Sequence, residues 1–123
     1  MSKKPTFNCI TDNIFGLNIY WMVGTRGQYR GAVLREFGKI NPDKDGSVLA
    51  SFEVFVREDI QIGVIWLSKK SASMAAHECL HAVHWILQRK GLWLTDSSEE
   101  VYAYYIEYLV TQICMSFRKG MVV

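Results

Sequence analysis

The sequence has little of several features that mark particular classes of protein. Its 123 residues include only two prolines, and lysine plus arginine exceed aspartate plus glutamate by two. So small a net charge, without a basic stripe of interleaved aromatic residues, gives no reason to expect nucleic-acid binding. No apolar run approaches the roughly 20 residues that cross a bilayer, so a membrane-spanning segment is not expected.

The cysteines and the N-terminus indicate the compartment. Cys9, Cys79 and Cys114 are odd in number and include no Cys-x-x-Cys pair, so we expect free thiols in a reducing environment. The N-terminal Met-Ser-Lys-Lys-Pro-Thr is basic but lacks the apolar core of a signal peptide. We therefore predict a cytoplasmic protein.

The hydrophobic and aromatic content of the chain indicates a globular fold. Half of the residues are hydrophobic and 13% are aromatic, which predicts a single domain over residues 1–123. Alternating or short apolar runs predict strands within 6–11, 14–23, 49–57 and 60–67, with a possible hairpin turn at Asp12-Asn13. Periodicity and end signals predict helices over 27–37, 71–90 and 98–117. The predicted fold is α+β, with a small, mostly antiparallel sheet packed against the helix over 71–90 and the C-terminal helix.

All three histidines fall within residues 77–84, where His77, Glu78 and His81 form an H-E-x-x-H motif. Residues four apart on an α-helix turn through about 400° and share a face, so both imidazoles can reach one ion. Zinc accepts such nitrogen ligands and prefers tetrahedral geometry. Glu78 is rotated by about 100° from His77, which places it beside the ion as a general base for the attacking water. The motif therefore predicts a zinc site with catalytic potential.

Two other residues of this helix, His84 and Cys79, are not expected to bind the zinc. A catalytic zinc usually has three protein ligands, but His84 rises roughly 10 Å above His77, too far to share an ion with His77 and His81. We therefore expect His84 to support the ligands or to pack. Cys79 lies about 200° around the helix from His77, so a buried thiol is expected there.

The third ligand is sought on the next helix, whose first turn carries Glu99 and Glu100. Glu100 shares a face with Ala103 and Tyr104, and a small residue there lets two helices approach closely around an ion. We prefer Glu100 as the ligand and keep Glu99 as the alternative. The Tyr104 hydroxyl is placed to assist near the reacting carbonyl, with His84 as the alternative for that role.

Two segments carry a resemblance to a known family: His-Glu-Cys-Leu-His-Ala-Val at 77–83 and Glu-Val-Tyr-Ala-Tyr at 100–104. The chain resembles the zincin metallopeptidases, and among them the gluzincins, whose third zinc ligand is a glutamate on a following helix. It is also similar to small phage-encoded zincin-like proteins. The resemblance implies that the strand over 60–67 borders the cleft and binds an extended peptide along an exposed edge.

Together these features predict a zinc-dependent metallopeptidase with a peptide or protein substrate, working in the host cytoplasm if the protein is phage-encoded. His77, His81 and Glu100 would hold the zinc, and Glu78 would serve as general base. The alternative is a catalytically weak or inactive zincin-like module that acts by binding a host or phage protein. An intact Glu78 favours the enzyme because a structural metal site needs no base beside its ligands.

Overall fold

The computed structural model describes residues 6–11, 18–41 and 48–121, and for residues 118–121 it describes the backbone only. These residues form an α+β fold, which confirms the predicted class. In chain order the elements are β1 (Asn8–Thr11), β2 (Asn18–Val23), α1 (Arg26–Phe37), β3 (Ala50–Arg57), β4 (Ile60–Leu67), α2 (Ala72–Arg89) and α3 (Glu99–Met121). Each predicted strand and helix is present. Residues 14–17 and the turn predicted at Asp12-Asn13 lie outside the described residues.

The chain divides into two compact units, Met1–Lys69 and Lys70–Val123. The first unit contains the sheet and α1, and the second contains α2 and α3. The expectation of a single domain stays a prediction. Within the described part of the chain, none of the three helices combines the length and the apolar character needed to cross a membrane.

The four strands of the first unit are arranged in the order β1-β2-β4-β3. Both hairpin pairs, β1 with β2 and β3 with β4, are antiparallel, whereas β2 and β4 are parallel. β4 therefore lies inside the sheet, and its residues 63–67 pair with a neighbour on each side. For residues 63–67 the prediction that strand 60–67 offers an exposed edge to a peptide is wrong, because neighbouring strands on both sides already take up the backbone hydrogen bonds there.

The ends of α1 are fixed by its own sequence. At the start, Thr25 and Gln28 form a capping box, in which each side chain accepts a hydrogen bond from the other residue's backbone N–H, at 3.1 and 2.8 Å. At the end, Gly38 adopts φ 74° and donates its N–H to the Leu34 carbonyl at 2.9 Å. One core cluster joins α1 to β2, β3 and β4: Met22, Tyr29, Ala32, Val33, Phe55, Ile62, Val64 and Trp66.

A partly buried polar contact beside this cluster ties α1 to the sheet. The Tyr29 hydroxyl donates to one carboxylate oxygen of Glu53 at 2.6 Å, and the Asn41 amide donates to the other at 2.8 Å. The Tyr29 ring stacks on Trp66 with centroids 5.2 Å apart. Burial, together with the hydrogen bond and charge of Glu53, raises the pKa of Tyr29. The phenol is therefore held in its protonated form.

In the second unit, α2 begins at Ser71, whose side chain accepts a hydrogen bond from the Met74 N–H at 3.2 Å. It ends before Gly91, which adopts φ 80° as the chain turns away. The two helices bury a set of mostly aliphatic and aromatic side chains: Ala75, Cys79, Ala82, Val83, Ile86 and Leu87 from α2, and Tyr102, Tyr105, Leu109 and Ile113 from α3.

Two hydroxyl groups hold the connection between α2 and α3 against the start of α3. The Tyr102 hydroxyl donates to the Leu92 carbonyl at 2.7 Å. The Ser98 hydroxyl donates to the Trp93 carbonyl and also accepts from the Thr95 N–H at 2.9 Å. Because Tyr102 and Ser98 are both buried, this connection has a fixed path.

Candidate metal centre

The three histidines lie along the exposed side of α2. Its buried residues, which include Ala75, Cys79, Ala82 and Ile86, occupy one side of the helix. Positions 77, 81 and 84 fall within an arc of about 60° on the opposite side. The His side chains are all exposed. The spacing that predicted a shared face is therefore present in the structure, and that face is open to a ligand.

His77 and His81 form a close pair on this face. Their ring centroids are 5.1 Å apart and the ring planes are inclined by 71°. The His77 side chain is 69% exposed, so an ion can approach it without unfolding any part of α2. Two imidazoles one helical turn apart are a donor set that zinc, nickel and copper accept.

Glu78 sits beside the pair but in a different environment. The residue is only 6% exposed, and its Oε2 lies 4.0 Å from His77 Nε2. Burial raises the pKa of the Glu78 carboxyl, and positive charge on His77 and His81 opposes that rise. A buried carboxyl group next to two exposed imidazoles is the environment expected of a general base.

The third predicted ligand is not brought to the histidine pair. Within the residues described, no group of three or more His, Cys, Asp or Glu side chains is placed to hold a metal ion. Glu100 is exposed in the first turn of α3. It lies about 200° around the helix from Tyr102 and about 180° from Leu109, both of which are buried. Glu100 thus lies on the side of α3 opposite its buried side chains. Its role as a zinc ligand stays a prediction.

Glu99, the alternative ligand, is also exposed. It lies about 100° from Glu100 and about 60° from Tyr102 around α3, so it is nearer to the buried side of the helix. The geometry of α3 thus favours Glu99 more than sequence reasoning did. Neither carboxylate joins the two imidazoles in the conformation seen.

The two candidates for oxyanion stabilisation differ in position. Tyr104 is 68% exposed on α3. His84 shares the exposed face of α2 with the histidine pair, its ring centroid lies 6.0 Å from that of Tyr102, and the Gln88 amide contacts its ring nitrogens. Sequence reasoning missed Tyr102, which lies beside His84. Its spacing of three residues from Tyr105 and seven from Leu109 is the signal that places it on the buried side of α3.

Cys79, inside the motif, is fully buried. Burial, with smaller effects from Cys114 and Glu78, raises the pKa of its thiol to about 12. A thiol in that state is a poor nucleophile and a poor ligand at neutral pH. The prediction of a buried thiol is confirmed.

No protein-family model, curated protein or solved structure matches this chain.

Proposed function

We propose that the protein is a zinc-dependent hydrolase that cleaves peptide bonds. The observation that carries the proposal is the pair of exposed imidazoles, His77 and His81, with the buried carboxyl of Glu78 beside them. Two histidines alone would suit any metal-binding surface. A desolvated carboxylate adjacent to them has a cost in stability that a purely structural site would avoid.

The chain's own residues divide into ligands and a base. His77 and His81 supply two nitrogen ligands from one helical face, and Glu100 is the proposed third ligand, with Glu99 as its alternative. Both glutamates are exposed near the start of α3, so their side chains are free to change rotamer. Zinc, when bound, supplies Lewis-acid polarisation of the scissile carbonyl.

Glu78 is the proposed general base. It accepts a proton from the attacking water and delivers that proton to the leaving amine. The raised pKa of its carboxyl makes it a stronger base than an exposed glutamate. His84 or Tyr104 would donate a hydrogen bond to the developing oxyanion. His84 has the better support because it shares the exposed face with the histidine pair.

The second candidate is a module of the same design with weak or no catalytic activity, which acts by binding a host or phage protein. One observation favours it: the described residues bring no third ligand to His77 and His81. Under either candidate we propose a cytoplasmic location, in the host cell if the protein is phage-encoded.

The deciding experiment is elemental analysis of purified protein after zinc reconstitution. Wild type, His81→Ala, Glu99→Ala and Glu100→Ala are compared, with circular dichroism to establish that each is folded. We expect near-stoichiometric zinc in the wild type and loss of zinc in His81→Ala. The glutamate variant that also loses zinc identifies the third ligand. A wild type that takes up no zinc excludes the hydrolase.

Activity is then measured by cleavage of a peptide library, with Glu78→Gln as the matched variant. We expect Glu78→Gln to keep zinc and to lose cleavage by at least about a hundredfold, the usual contribution of a general base. Zinc binding without cleavage in the wild type would favour the binding module.

A further inference from the structure

An apolar stripe runs along the solvent-facing side of α3. It consists of Val101, Tyr104, Tyr108 and Met115, and we call these four residues the α3 stripe. At 100° per residue the four positions fall within an arc of about 60° on one helix. Val101 is 44% exposed, Tyr104 68% and Met115 52%, and Tyr108 is half-buried. An aligned set of large exposed side chains of this kind is characteristic of a contact site.

The spacing of the stripe indicates that a helix would cover it. Its successive members are 3, 4 and 7 residues apart, and Thr111 occupies the position that divides the last interval into 3 and 4. An alternation of 3 and 4 residues is the pattern by which two helices pack side by side along a seam. From Val101 to Met115 the stripe is about 21 Å long, or roughly four helical turns. A partner helix laid along α3 can therefore contact every member of the stripe.

The stripe stands on a helix that is held in place from its other side. Tyr105, Leu109 and Ile113 are buried in the packing of α3 with α2. The Tyr108 ring lies edge to face with the ring of Tyr105, with centroids 6.5 Å apart. A partner would therefore meet side chains on a pre-formed helix, and little ordering entropy opposes binding.

The charge beside the stripe selects the kind of partner. Glu100 lies four residues before Tyr104 and Glu107 lies three residues after it, so both exposed carboxylates adjoin this ring on the helix surface. Residues 99–117 contain three glutamates and no Lys, Arg or His. The same residues of a second copy would bring further carboxylates and no cation, and an anionic lipid surface would be repelled. A basic partner supplies the opposite charge.

We propose that the α3 stripe docks a basic amphipathic helix of a partner protein. Apolar side chains of that helix cover Tyr104, Tyr108 and Met115, and its Lys or Arg residues lie against Glu100 and Glu107. The burial supplies most of the affinity, and the charges set orientation and speed of association. This inference goes beyond the proposed hydrolase and needs no metal, because Tyr108, Met115 and Glu107 have no part in the proposed metal site.

The test is fluorescence anisotropy with a labelled peptide that carries leucine at alternating 3- and 4-residue spacing and lysine elsewhere. Binding to the full-length protein is measured at physiological ionic strength with a chelator present, so that metal binding does not affect the result. We expect Tyr104→Ser/Met115→Ser to weaken binding by about tenfold or more, as loss of anchoring side chains does. Glu107→Lys should weaken it several-fold and make the remaining binding less sensitive to salt.

Matched controls separate the stripe from general adhesion to the protein. Leu80→Ser removes an apolar side chain that is 45% exposed on α2, and Glu58→Lys reverses an exposed acidic charge in the sheet unit. Both variants should bind the peptide as the wild type does. Two control peptides should bind more weakly by about tenfold or more. One has the same composition with the leucine spacing scrambled, and the other has glutamate in place of lysine.

Four results would overturn the proposal. The first is no binding of the basic peptide to the wild type at about 1 mM. The second is equal loss of binding in the control variants and in those of the stripe. The third is equal binding of either control peptide. The fourth is a wild-type dimer in sedimentation that Tyr104→Ser/Met115→Ser dissociates, since the stripe would then join two copies. Circular dichroism checks each variant, and the substituted side chains are exposed, so folding should be retained.

Discussion

The imidazole rings of His77 and His81 lie edge to face with centroids 5.1 Å apart on the exposed side of α2. One helical turn separates the two residues, so the backbone holds their Cβ atoms about 6 Å apart and suitable rotamers bring the two rings together. We therefore expect the pair to bind a divalent metal ion even without a third ligand.

Retention on a nickel-chelate column should depend on this pair in untagged protein. We expect His81→Ala to elute at a clearly lower imidazole concentration than the wild type, because one of two neighbouring donors is lost. His84→Ala is the matched control, since it removes an exposed histidine from the same face and leaves the pair intact. Equal loss of retention in the two variants would contradict a specific role for the pair.

Substitution of Glu78 by Gln should stabilise the metal-free protein at neutral pH. The pKa of Glu78 is raised in the folded state by burial, so the folded protein binds this proton more tightly than the unfolded chain does. The protonated Glu78 carboxyl stabilises the folded state fully at pH values below the ordinary glutamate pKa of about 4.3. This stabilisation is lost as the pH rises through the raised pKa of the folded state. In thermal unfolding with a chelator, Glu78→Gln should have a higher Tm than the wild type, and the difference should be larger at pH 7 than at pH 4.

The burial of the Tyr29 phenol and its hydrogen bond to Glu53 predict a loss of stability in alkaline solution. The pKa of Tyr29 is raised in the folded state, whereas in the unfolded chain it is about 10. Above pH 10 the unfolded state therefore releases a proton that the folded state keeps. Stability then falls by up to about 1.4 kcal/mol per pH unit from this group. Urea unfolding at pH 9 to 11 should show a smaller fall in the free energy of unfolding for Tyr29→Phe than for the wild type. If the free energies of the two proteins fell in parallel with pH, Tyr29 would not be the group responsible.

Gly63, in the middle of β4, has no room for a side chain. A Cβ there would lie 2.9 Å from Cε1 of Phe52 and 3.2 Å from Cδ1 of Ile19. We expect Gly63→Ala to lower the free energy of unfolding by roughly 1–3 kcal/mol, the usual cost of overpacking. Chemical denaturation measures this directly.

Gly27→Ala is the matched control for that substitution. Gly27 is exposed in the first turn of α1, and a Cβ there meets only Thr25 Oγ1, at 3.9 Å. We expect this variant to be more stable than the wild type by roughly 0.5 kcal/mol, because alanine favours the helix. A similar loss of stability in both variants would indicate that the space at Gly63 does not decide the outcome.

Local signals were sufficient to predict the helices and strands from sequence. Serine at position 71 and glycine at position 91 bracket α2, and the turn at 58–59 separates β3 from β4. The position of β4 in the sheet could not be predicted from the alternation of apolar and polar residues, because that alternation identifies a strand but not the strands beside it. The almost uninterrupted apolar run over 62–67 was the available sign of a strand with neighbours on both sides.

The same distinction between local and long-range relationships applies to the candidate site. The relation of His77 to His81 and Glu78 is set within one helix, so spacing alone predicted it. The relation of Glu100 to that pair depends on how α3 is rotated against α2. Tyr102, Leu109 and their buried neighbours decide that rotation, and the apolar period of one helix does not say how that helix is turned against another.

The parallel pairing of β2 with β4 bears on how the first unit folds. Each of the two hairpin pairs, β1 with β2 and β3 with β4, joins strands that are near in sequence. The ladder from Ile19↔Gly63 to Val23↔Leu67 instead joins residues 44 apart, so it must close a long loop that contains α1. Closing such a loop is entropically costly and slow compared with forming a hairpin. We therefore expect the two hairpins to form early and their union along β2 and β4 to limit the folding rate.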